Sequence, residues 1–200
     1  SVGPRYGYFP NAQKSILLVK PELEQTAKEV FHGTGIAIRS DGVRYLGGYI
    51  GSNEFVAGRV SSQINTWLTL MNRLTVLAKT QPQAAYHVVS TAVQAKWRFL
   101  QRVCEVPADA FGPLDNVIVR FCEGIFGRDE LPESLRKLLS LPVRLGGLGI
   151  PVPSEGAARQ LELSRASTGP IVEFLVAAGA DDAASEVARS LSPGTGVCAG

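Results

Sequence analysis

The stretch Arg44-Tyr45-Leu46-Gly47-Gly48-Tyr49-Ile50-Gly51-Ser52 decides how this chain is divided. Two aromatic-aliphatic arms, Tyr45-Leu46 and Tyr49-Ile50, flank a Gly-Gly pair. Glycine accepts the positive φ angles that a two-residue hairpin turn requires. The stretch therefore predicts a tight β-hairpin with its turn at Gly47-Gly48. An ordinary edge hairpin that closes a sheet is the alternative that composition leaves open.

The residues before the hairpin alternate between strand and helix patterns. Ser15 to Lys20 is a short apolar run of strand length, and Pro21 ends it and begins a helix that runs to about Phe31. Residues 36–38 form a second apolar strand, followed by a Ser-Asp-Gly turn at 40–42. Residues 1–54 therefore predict a small α+β unit whose exposed strand edges need a partner.

The residues after the hairpin change to a helical period. Apolar side chains step by three and four positions from Phe55 to about Thr80, as one face of a single long helix requires. These side chains are Val60, Ile64, Trp67, Met71, Leu74 and Ala78. At this spacing, Trp67 and Trp97 are expected in the core rather than as base-stacking platforms.

Two more helices complete a predicted helical region over residues 55–130. The first runs from about Gln83 to Cys104, and the second from Pro113 to about Phe126. The side chains predicted to face inward on the first of them are Ala85, Val88, Val89, Ala92, Val93, Leu100 and Val103. This helix and the long one before it are expected to pack as an antiparallel pair.

The last part of the chain, residues 131–190, predicts a further helical region. A short helix over Leu131 to Leu141 precedes the glycine-dense apolar segment Pro142 to Pro151, whose backbone is expected to pack close against the core. Helices are predicted over Ser154 to Ala166 and Pro170 to Ala178, and residues 191–200 as a disordered tail. The predicted fold class is α+β, predominantly α.

Charge is distributed unevenly although the formal net charge is only +2. Residues 57–104 contain six basic side chains and no Asp or Glu, and these are Arg59, Arg73, Lys79, Lys96, Arg98 and Arg102. A purely basic block is typical of a surface that contacts a phosphate backbone, since each neutralised phosphate releases a counterion. A solvated helical face is the alternative.

Cysteine and histidine give no sign of a metal centre. The three cysteines share no Cys-x-x-Cys spacing, and the two histidines lie far apart, so neither a disulfide framework nor a metal site is predicted. A reducing compartment fits best, which favours an intracellular location in the cytoplasm or the nucleus. No apolar run approaches the roughly 20 residues of a membrane span.

Five segments together resemble a known family. Gly7 to Ser15, with its Asn11-x-x-Lys14-Ser15 motif, is followed by the Tyr45 to Gly51 hairpin, and the pair resembles the later palm of a retroelement reverse transcriptase. Thr80 to Tyr86, Lys96-Trp97 and Leu141 to Ile150 resemble the helical region after that palm. The resemblance covers about residues 5 to 165.

The resemblance implies a role for each matching segment. Lys14 matches a lysine near the incoming nucleotide, where an ammonium group can protonate the leaving pyrophosphate as a general acid. The hairpin, with Tyr45, Leu46, Gly47 and Gly48, matches the element that grips the 3′ end of the primer. The basic helices match the thumb, which holds an RNA/DNA template-primer duplex through its phosphates.

The chain departs from the family at its catalytic centre. Polymerisation requires two Mg²⁺ ions held by paired carboxylates, and in the family these precede the segment that matches residue 7 onward. The resemblance therefore implies a fragment of an RNA-directed DNA polymerase whose fingers and remaining palm lie upstream in the same polyprotein, with no metal site in this chain. A non-catalytic helical protein-interaction module, using the loop from Gly146 to Pro151, is the alternative function.

Overall fold

The computed structural model describes residues 5, 7, 9 and 11–191, with side chains described as far as residue 177. The strands are β1 (Ile16–Leu18), β2 (Ala37–Arg39), β3 (Gly42–Tyr45) and β4 (Gly48–Gly51). The helices are α1 (Glu24–Val30), α2 (Asn53–Ala78), α3 (Pro82–Val88), α4 (Gln94–Val103), α5 (Gly112–Phe126), α6 (Glu133–Ser140) and α7 (Pro153–Leu191). The fold is α+β and predominantly α, as the sequence predicts.

The N-terminal unit is a two-stranded parallel sheet connected by α1. β1 pairs with β2 in the register Ile16 to Ala37 and Leu18 to Arg39. The Glu24 carboxylate ties α1 to the end of the sheet, because it accepts hydrogen bonds from Lys28 Nζ at 2.5 Å and from the Ser40 hydroxyl. These two hydrogen bonds, together with the positive charge of Lys28, lower the pKa of Glu24.

The hairpin forms where the sequence predicts it, but its turn lies one residue earlier. β3 pairs with β4 antiparallel, with Tyr45 opposite Gly48, so Gly48 is the first residue of a strand. The two turn residues are Leu46, at a φ of 47°, and Gly47, at a φ of 87°. Positive φ at both positions is the signature of a type I′ turn, which a Gly-Gly pair would have satisfied without placing leucine in the left-handed region.

The long helix α2 has the buried face that the sequence predicts. All six residues of the predicted apolar face are buried, and Ser52 caps the helix by accepting a hydrogen bond from the Phe55 backbone at 3.2 Å. α2 packs most extensively against α5. At their contact a Cβ on Gly124 would lie 3.2 Å from the Thr75 carbonyl oxygen, so glycine permits the close approach.

The predicted helix from Gln83 to Cys104 is interrupted by a π-helical turn over Val89–Val93. Because this turn is wider than an α-helical one, buried side chains recur every four residues at Ala85, Val89, Val93 and Trp97. The prediction that Val88, Ala92 and Val103 face inward was wrong, since all three are exposed.

The helices surround one hydrophobic core. Trp67 and Trp97, both buried, meet edge to face with ring centroids 6.4 Å apart, which confirms their predicted place in the core. The same core includes Leu131, Ile150 and Ala157 from the C-terminal part of the chain. The boundaries predicted between residues 54 and 55 and between 130 and 131 stay predictions.

The second half of the glycine-dense segment, residues 147–150, packs closely as the sequence predicts, whereas residues 142–146 are exposed. A Cβ on Gly147 would lie 2.0 Å from the Leu141 carbonyl oxygen, so no side chain fits there. The Tyr86 hydroxyl donates a hydrogen bond to the Leu148 carbonyl oxygen at 2.7 Å, which fastens the segment to α3. The loop is therefore a fixed part of the bundle.

The two helices predicted over Ser154 to Ala166 and Pro170 to Ala178 are one continuous helix, α7, with Pro170 inside it. The start of α7 is held by buried polar groups: Gln101 Nε2 donates to the Pro153 carbonyl oxygen at 2.8 Å, and the Asp115 carboxylate accepts from the Ser154 backbone at 3.2 Å. Of the predicted tail, residues 191–200, Leu191 is the last residue of α7, and residues 192–200 lie outside the described residues. No helix in the described part of the chain is long and apolar enough to span a membrane.

Candidate nucleic-acid interface

The hairpin lies directly against α4. A Cβ on Gly47 would lie 3.2 Å from the Phe99 ring, and one on Gly48 would lie 3.1 Å from a Val103 methyl group. The Cys104 thiol is hydrogen-bonded to the Tyr49 backbone, and burial raises the pKa of this thiol while the hydrogen bond opposes that rise. The two glycines therefore let the ribbon rest on the helix.

A cleft, here called the hairpin cleft, opens between the hairpin, α2 and α4. Its volume is about 530 Å³. It is lined by Arg44, Gly47, Tyr49, Gln63, Thr66, Trp67, Leu70, Ala95, Lys96, Phe99 and Leu100. Two of these side chains are cationic and none is acidic, so the cleft suits an anionic ligand with apolar surface beside it.

A second cleft, here called the arginine cleft, adjoins the first on the side of β2. Its volume is about 360 Å³. It is lined by Ile16, Arg39, Asp41, Gly42, Val43, Arg44, Tyr49, Phe55, Arg59, Ser62, Gln63 and Thr66. Arg44, Tyr49, Gln63 and Thr66 line both clefts. The two clefts are therefore neighbours that share one wall.

One face of α2 forms the floor of both clefts. At 100° per residue, Arg59, Gln63, Thr66, Leu70 and Arg73 fall within about 40° of a common line along the helix. Arg59 lines the arginine cleft, and the next three line the hairpin cleft. Arg73, one turn beyond Leu70, is exposed on the same face. The basic residues at both ends of this face therefore flank its polar middle.

The predicted hairpin residues occupy different parts of the ribbon. Tyr45 and Leu46 are at its tip, where their side chains are 59% and 81% exposed. Gly47 lines the hairpin cleft, and Gly48 is buried against α4. Among these four residues, only Tyr45 and Leu46 thus present side chains to a ligand.

Two of the six predicted basic residues line the clefts, and a third lies on the same face of α2. Lys96 on α4 lines the hairpin cleft, Arg59 lines the arginine cleft, and Arg73 continues the same face of α2. Arg98 and Arg102 on α4 line neither cleft. The basic block is therefore divided between the clefts and other faces of the bundle.

Lys79 lies on the far flank of α2. It lines a separate cleft between α2 and α5, together with Arg120, Glu123, Arg128 and Asp129. Two carboxylates among three cations make this cleft nearly neutral compared with the hairpin cleft. The position and near-neutral charge of this cleft separate Lys79 from the other residues predicted to contact nucleic acid.

All six predicted basic side chains are exposed, and none forms an ion pair with another described residue. The ion pairs present in the described part of the chain join Lys28 to Glu24, Lys137 to Glu133, and Arg165 to Glu105. Charges without a protein partner at a surface create a positive potential that attracts anions. Electrostatics thus favours the clefts as anion sites.

Lys14 is exposed in a short 3₁₀ turn immediately before β1. Asn11 caps this turn, since its side-chain oxygen accepts a hydrogen bond from the Gln13 backbone at 3.0 Å. The Asn-x-x-Lys spacing thus has a local structural explanation. Ile16, two residues later, lines the arginine cleft.

Sequence reasoning missed several residues of the clefts, above all Arg39 and Arg44. Arg39 ends β2 and Arg44 belongs to β3, and both lie outside the acid-free block that identified the other cations. Alternation along β3 places Arg44 beside Tyr49 on one face, a signal already present in the hairpin sequence. Arg39 carried no such signal.

The clefts do not suit the Mg²⁺ ions that the family resemblance implies. Asp41 is the one carboxylate that lines either cleft. Among the described residues, no group of three or more His, Cys, Asp or Glu side chains could hold a metal ion. Because Mg²⁺ prefers carboxylate oxygens, no catalytic step is assigned to these residues through a metal.

Comparisons of the whole chain with protein-family models, with curated protein sequences and with solved structures find no match. The resemblance to reverse transcriptases therefore rests on the residues quoted above. Any function of the two clefts has to be argued from their own chemistry.

Proposed function

We propose that this chain is the duplex-holding part of a mobile-element reverse transcriptase and binds an RNA/DNA template-primer duplex. One observation carries the proposal: the hairpin that resembles the primer-gripping element lies beside an acid-free cationic cleft on the basic helices. In this role the hairpin cleft contacts phosphates and sugars, and the sequence of the duplex is not read.

Each wall of the hairpin cleft has a part in this role. Arg44 lines the cleft from β3 and Lys96 from α4, and both neutralise phosphates, while Gln63 and Thr66 on α2 offer hydrogen-bonding groups. Phe99, which is partly exposed, supplies apolar contact for a sugar. Tyr45 and Leu46 at the hairpin tip reach beyond the cleft toward the strand end.

The N-terminal unit supports a partner of the kind that the resemblance implies. A two-stranded parallel sheet is unusual by itself, since parallel sheets are normally larger and covered on both faces. Here Ile16 on β1 is 51% exposed and Leu23 is 53% exposed. The upstream fingers and palm of the same polyprotein, with further strands, would cover these edges and provide the catalytic carboxylates with their Mg²⁺ ions.

Binding of a fluorescent RNA/DNA hybrid, followed by anisotropy over a series of salt concentrations, tests this proposal. We expect binding at low salt that weakens steeply as salt rises. Arg73→Glu and Lys96→Glu should each weaken it about tenfold or more, because each removes a phosphate contact and adds repulsion.

Arg159→Glu is the matched control, since Arg159 is exposed on α7 and lines neither cleft. Arg102→Glu distinguishes the sequence prediction from the cleft geometry. The sequence predicts a contact at Arg102, whereas Arg102 lines neither cleft, so the geometry predicts a smaller loss of binding. No binding at low salt, or equal losses in the control and the cleft variants, would contradict the proposal.

Primer extension tests the catalytic part of the proposal. We expect no nucleotide incorporation by this chain with Mg²⁺, because the clefts lack paired carboxylates. Incorporation would show that the chain is itself a polymerase. In a complex with the upstream part, Lys14→Ala should slow incorporation more than it weakens duplex binding, as expected for a general acid.

The protein-interaction module remains the second candidate, and one observation favours it. The residues that lead into the loop from Gly146 to Pro151 expose large apolar side chains, with Val143 66% and Leu145 58% exposed, beside exposed Leu138 on α6. Exposed apolar groups of this kind are typical of protein-binding surfaces. If the hybrid does not bind, and Val143→Asp with Leu145→Asp abolishes capture of the upstream part of the polyprotein, this second function is supported instead.

A further inference from the structure

The arginine cleft gathers guanidinium groups from three separate elements. Arg39 comes from the end of β2, Arg44 from β3 and Arg59 from the first turns of α2. All three side chains are exposed, and all three line the same cleft of about 360 Å³. Residues far apart in sequence thus meet at one site because β2, the hairpin and α2 meet there.

The charges of this cleft are not balanced by the protein. Asp41 is the one carboxylate in its lining, and none of the three arginines forms an ion pair with a residue in the described part of the chain. Like charges held near one another repel, so their convergence costs free energy in the unliganded protein. A bound anion would remove that cost.

Packing holds Arg59 in position. Its guanidinium carbon lies 5.2 Å from the centroid of the Phe55 ring, within the range of a cation–π contact. The Phe55 ring is itself pressed against Gly42, where an added Cβ would lie 2.3 Å from the ring. Arg44 is the cross-strand neighbour of Tyr49, so the hairpin register sets the position of its backbone. A side chain held by packing, as Arg59 is, loses little freedom on binding a ligand.

Neutral polar groups complete the site. Ser62 and Gln63 line the cleft from α2, one helical turn after Arg59. A hydroxyl group and an amide group can donate hydrogen bonds to oxygens that arginine does not reach. Arginine forks bind phosphate oxygens in pairs, which a carboxylate ligand with only two oxygens would use less fully.

We propose that the arginine cleft is a phosphate-binding site in which Arg39, Arg44 and Arg59 hold the phosphate oxygens. The ligand chemistry is a phosphate group, either a phosphodiester of a nucleic-acid strand that continues from the hairpin cleft or a free di- or triphosphate. The inference goes beyond the proposed function, because it rests on the cleft itself and stands without duplex binding.

Titration of the ¹⁵N-labelled chain with inorganic pyrophosphate, followed by NMR, tests the site directly. We expect saturable shifts of the Arg39, Arg44 and Arg59 side-chain Nε–H signals and of the Ser62 and Gln63 backbone signals. Arg39→Gln and Arg59→Gln should each weaken binding about tenfold, as the loss of one charge-assisted contact predicts, and the double variant should show no saturable shift.

Arg98→Gln and Arg159→Gln are matched controls that remove the same charge from exposed sites outside both clefts. Unchanged thermal unfolding of all four single variants would establish that they fold. No saturable shift with pyrophosphate, or equal weakening in cleft and control variants, overturns the proposal.

Anisotropy with the RNA/DNA hybrid separates the two sources of phosphate. If the double variant loses pyrophosphate binding, and binds the hybrid more weakly with a salt dependence shallower by about one unit for each lost contact, the source is the nucleic-acid backbone. If it loses pyrophosphate binding and keeps hybrid binding, the source is a free phosphate compound. Should the wild-type chain bind pyrophosphate but not the hybrid, the proposed function fails and the phosphate site stands.

Discussion

The N-terminal unit and the helical bundle are stabilised in different ways. In residues 11–52, which the structure describes completely, Ala27 is the one apolar side chain that is buried. The bundle buries an extended core that includes Trp97, Phe111 and Phe121. The N-terminal unit has instead a short parallel sheet, the hydrogen bonds of Glu24 and its contact with α2 and α4. Most of the folding free energy therefore belongs to the bundle, although both parts line the clefts.

Truncating a core side chain of the bundle should have the largest effect on the free energy of unfolding. Phe121→Ala should lower the free energy of unfolding by about 3–5 kcal/mol, because it leaves a cavity in a fully buried site. Val30→Ala on α1, at a side chain 70% exposed, should change it by less than about 0.5 kcal/mol. Urea denaturation of both variants measures the difference, and similar losses would contradict the comparison.

Hydrogen exchange should show the same difference without a mutation. Backbone amides of β1 and β2 should exchange at least about a hundredfold faster than buried amides of α2 and α5, because the sheet can open locally while the bundle stays folded. Exchange measured by NMR or mass spectrometry reports each segment. Equal protection in both parts would mean that they unfold as one cooperative unit.

The two buried thiols provide a chemical probe of the boundary between the parts. Cys104 lies where α4 meets the hairpin, while Cys122 lies within α5 in the bundle. With Cys198 replaced by serine, we expect alkylation of Cys104 to be faster than that of Cys122, because opening of the hairpin exposes the first thiol alone. Variants that keep a single cysteine, treated with iodoacetamide, separate the two rates. Faster reaction of Cys122 would be the opposite of the expected order.

The Cys122 thiol also predicts a pH dependence. Burial raises its pKa from 9.0 to about 11, with the charge of Arg136 opposing the shift. Between these two values the unfolded chain releases the thiol proton and the folded chain retains it. The stabilisation is therefore complete below about pH 9 and is lost as the pH rises toward 11. The thermal unfolding temperature of the wild type should fall more steeply with pH over this window than that of Cys122→Ala.

The smallest expected effect is at the hairpin turn. Leu46→Asn should stabilise the hairpin by about 0.5–1 kcal/mol, because Asn-Gly suits a type I′ turn better than leucine at positive φ. Gly47→Ala should act in the opposite direction, since its added methyl group meets Phe99 and the φ of 87° is strained for alanine. Exchange of the β3 and β4 amides detects both changes. Weaker duplex binding by a more stable Leu46→Asn hairpin would indicate that the leucine contacts the ligand.

The parts of the fold with continuous local patterns could be predicted from the sequence. The apolar period of α2 runs unbroken from Val60 to Ala78, so the buried face was predicted residue by residue. The face of α3 and α4 was wrong at Val88, Ala92 and Val103 because a π-helical turn shifts the register, and nothing local signals such a turn. Pro170 predicted a helix boundary, but α7 continues through it.

The residues of the clefts could be predicted only in part, because the sequence shows local patterns and not tertiary contacts. Absence of acidic residues identified Arg59 and Lys96 of the cleft linings, and Arg73 on the same face of α2, because this signal lies along the sequence of the helices. Arg39 and Arg44 join them only through tertiary contacts between β2, the hairpin and α2, which local patterns do not record. Lys79, Arg98 and Arg102 share the same basic block, yet the direction of each side chain around its helix separates them from the clefts.

The straight course of α2 has a consequence for the size of any ligand. Arg59 and Arg73 stand fourteen positions apart on one unbroken helix, so their Cα atoms are held about 21 Å from each other. A strand of B-form DNA advances about 3.4 Å per nucleotide, so about six base pairs cover that distance, and the more compact RNA/DNA duplex needs somewhat more. Duplexes shorter than this can touch one end of the floor or the other, and affinity should rise sharply once the oligonucleotide is long enough to reach both.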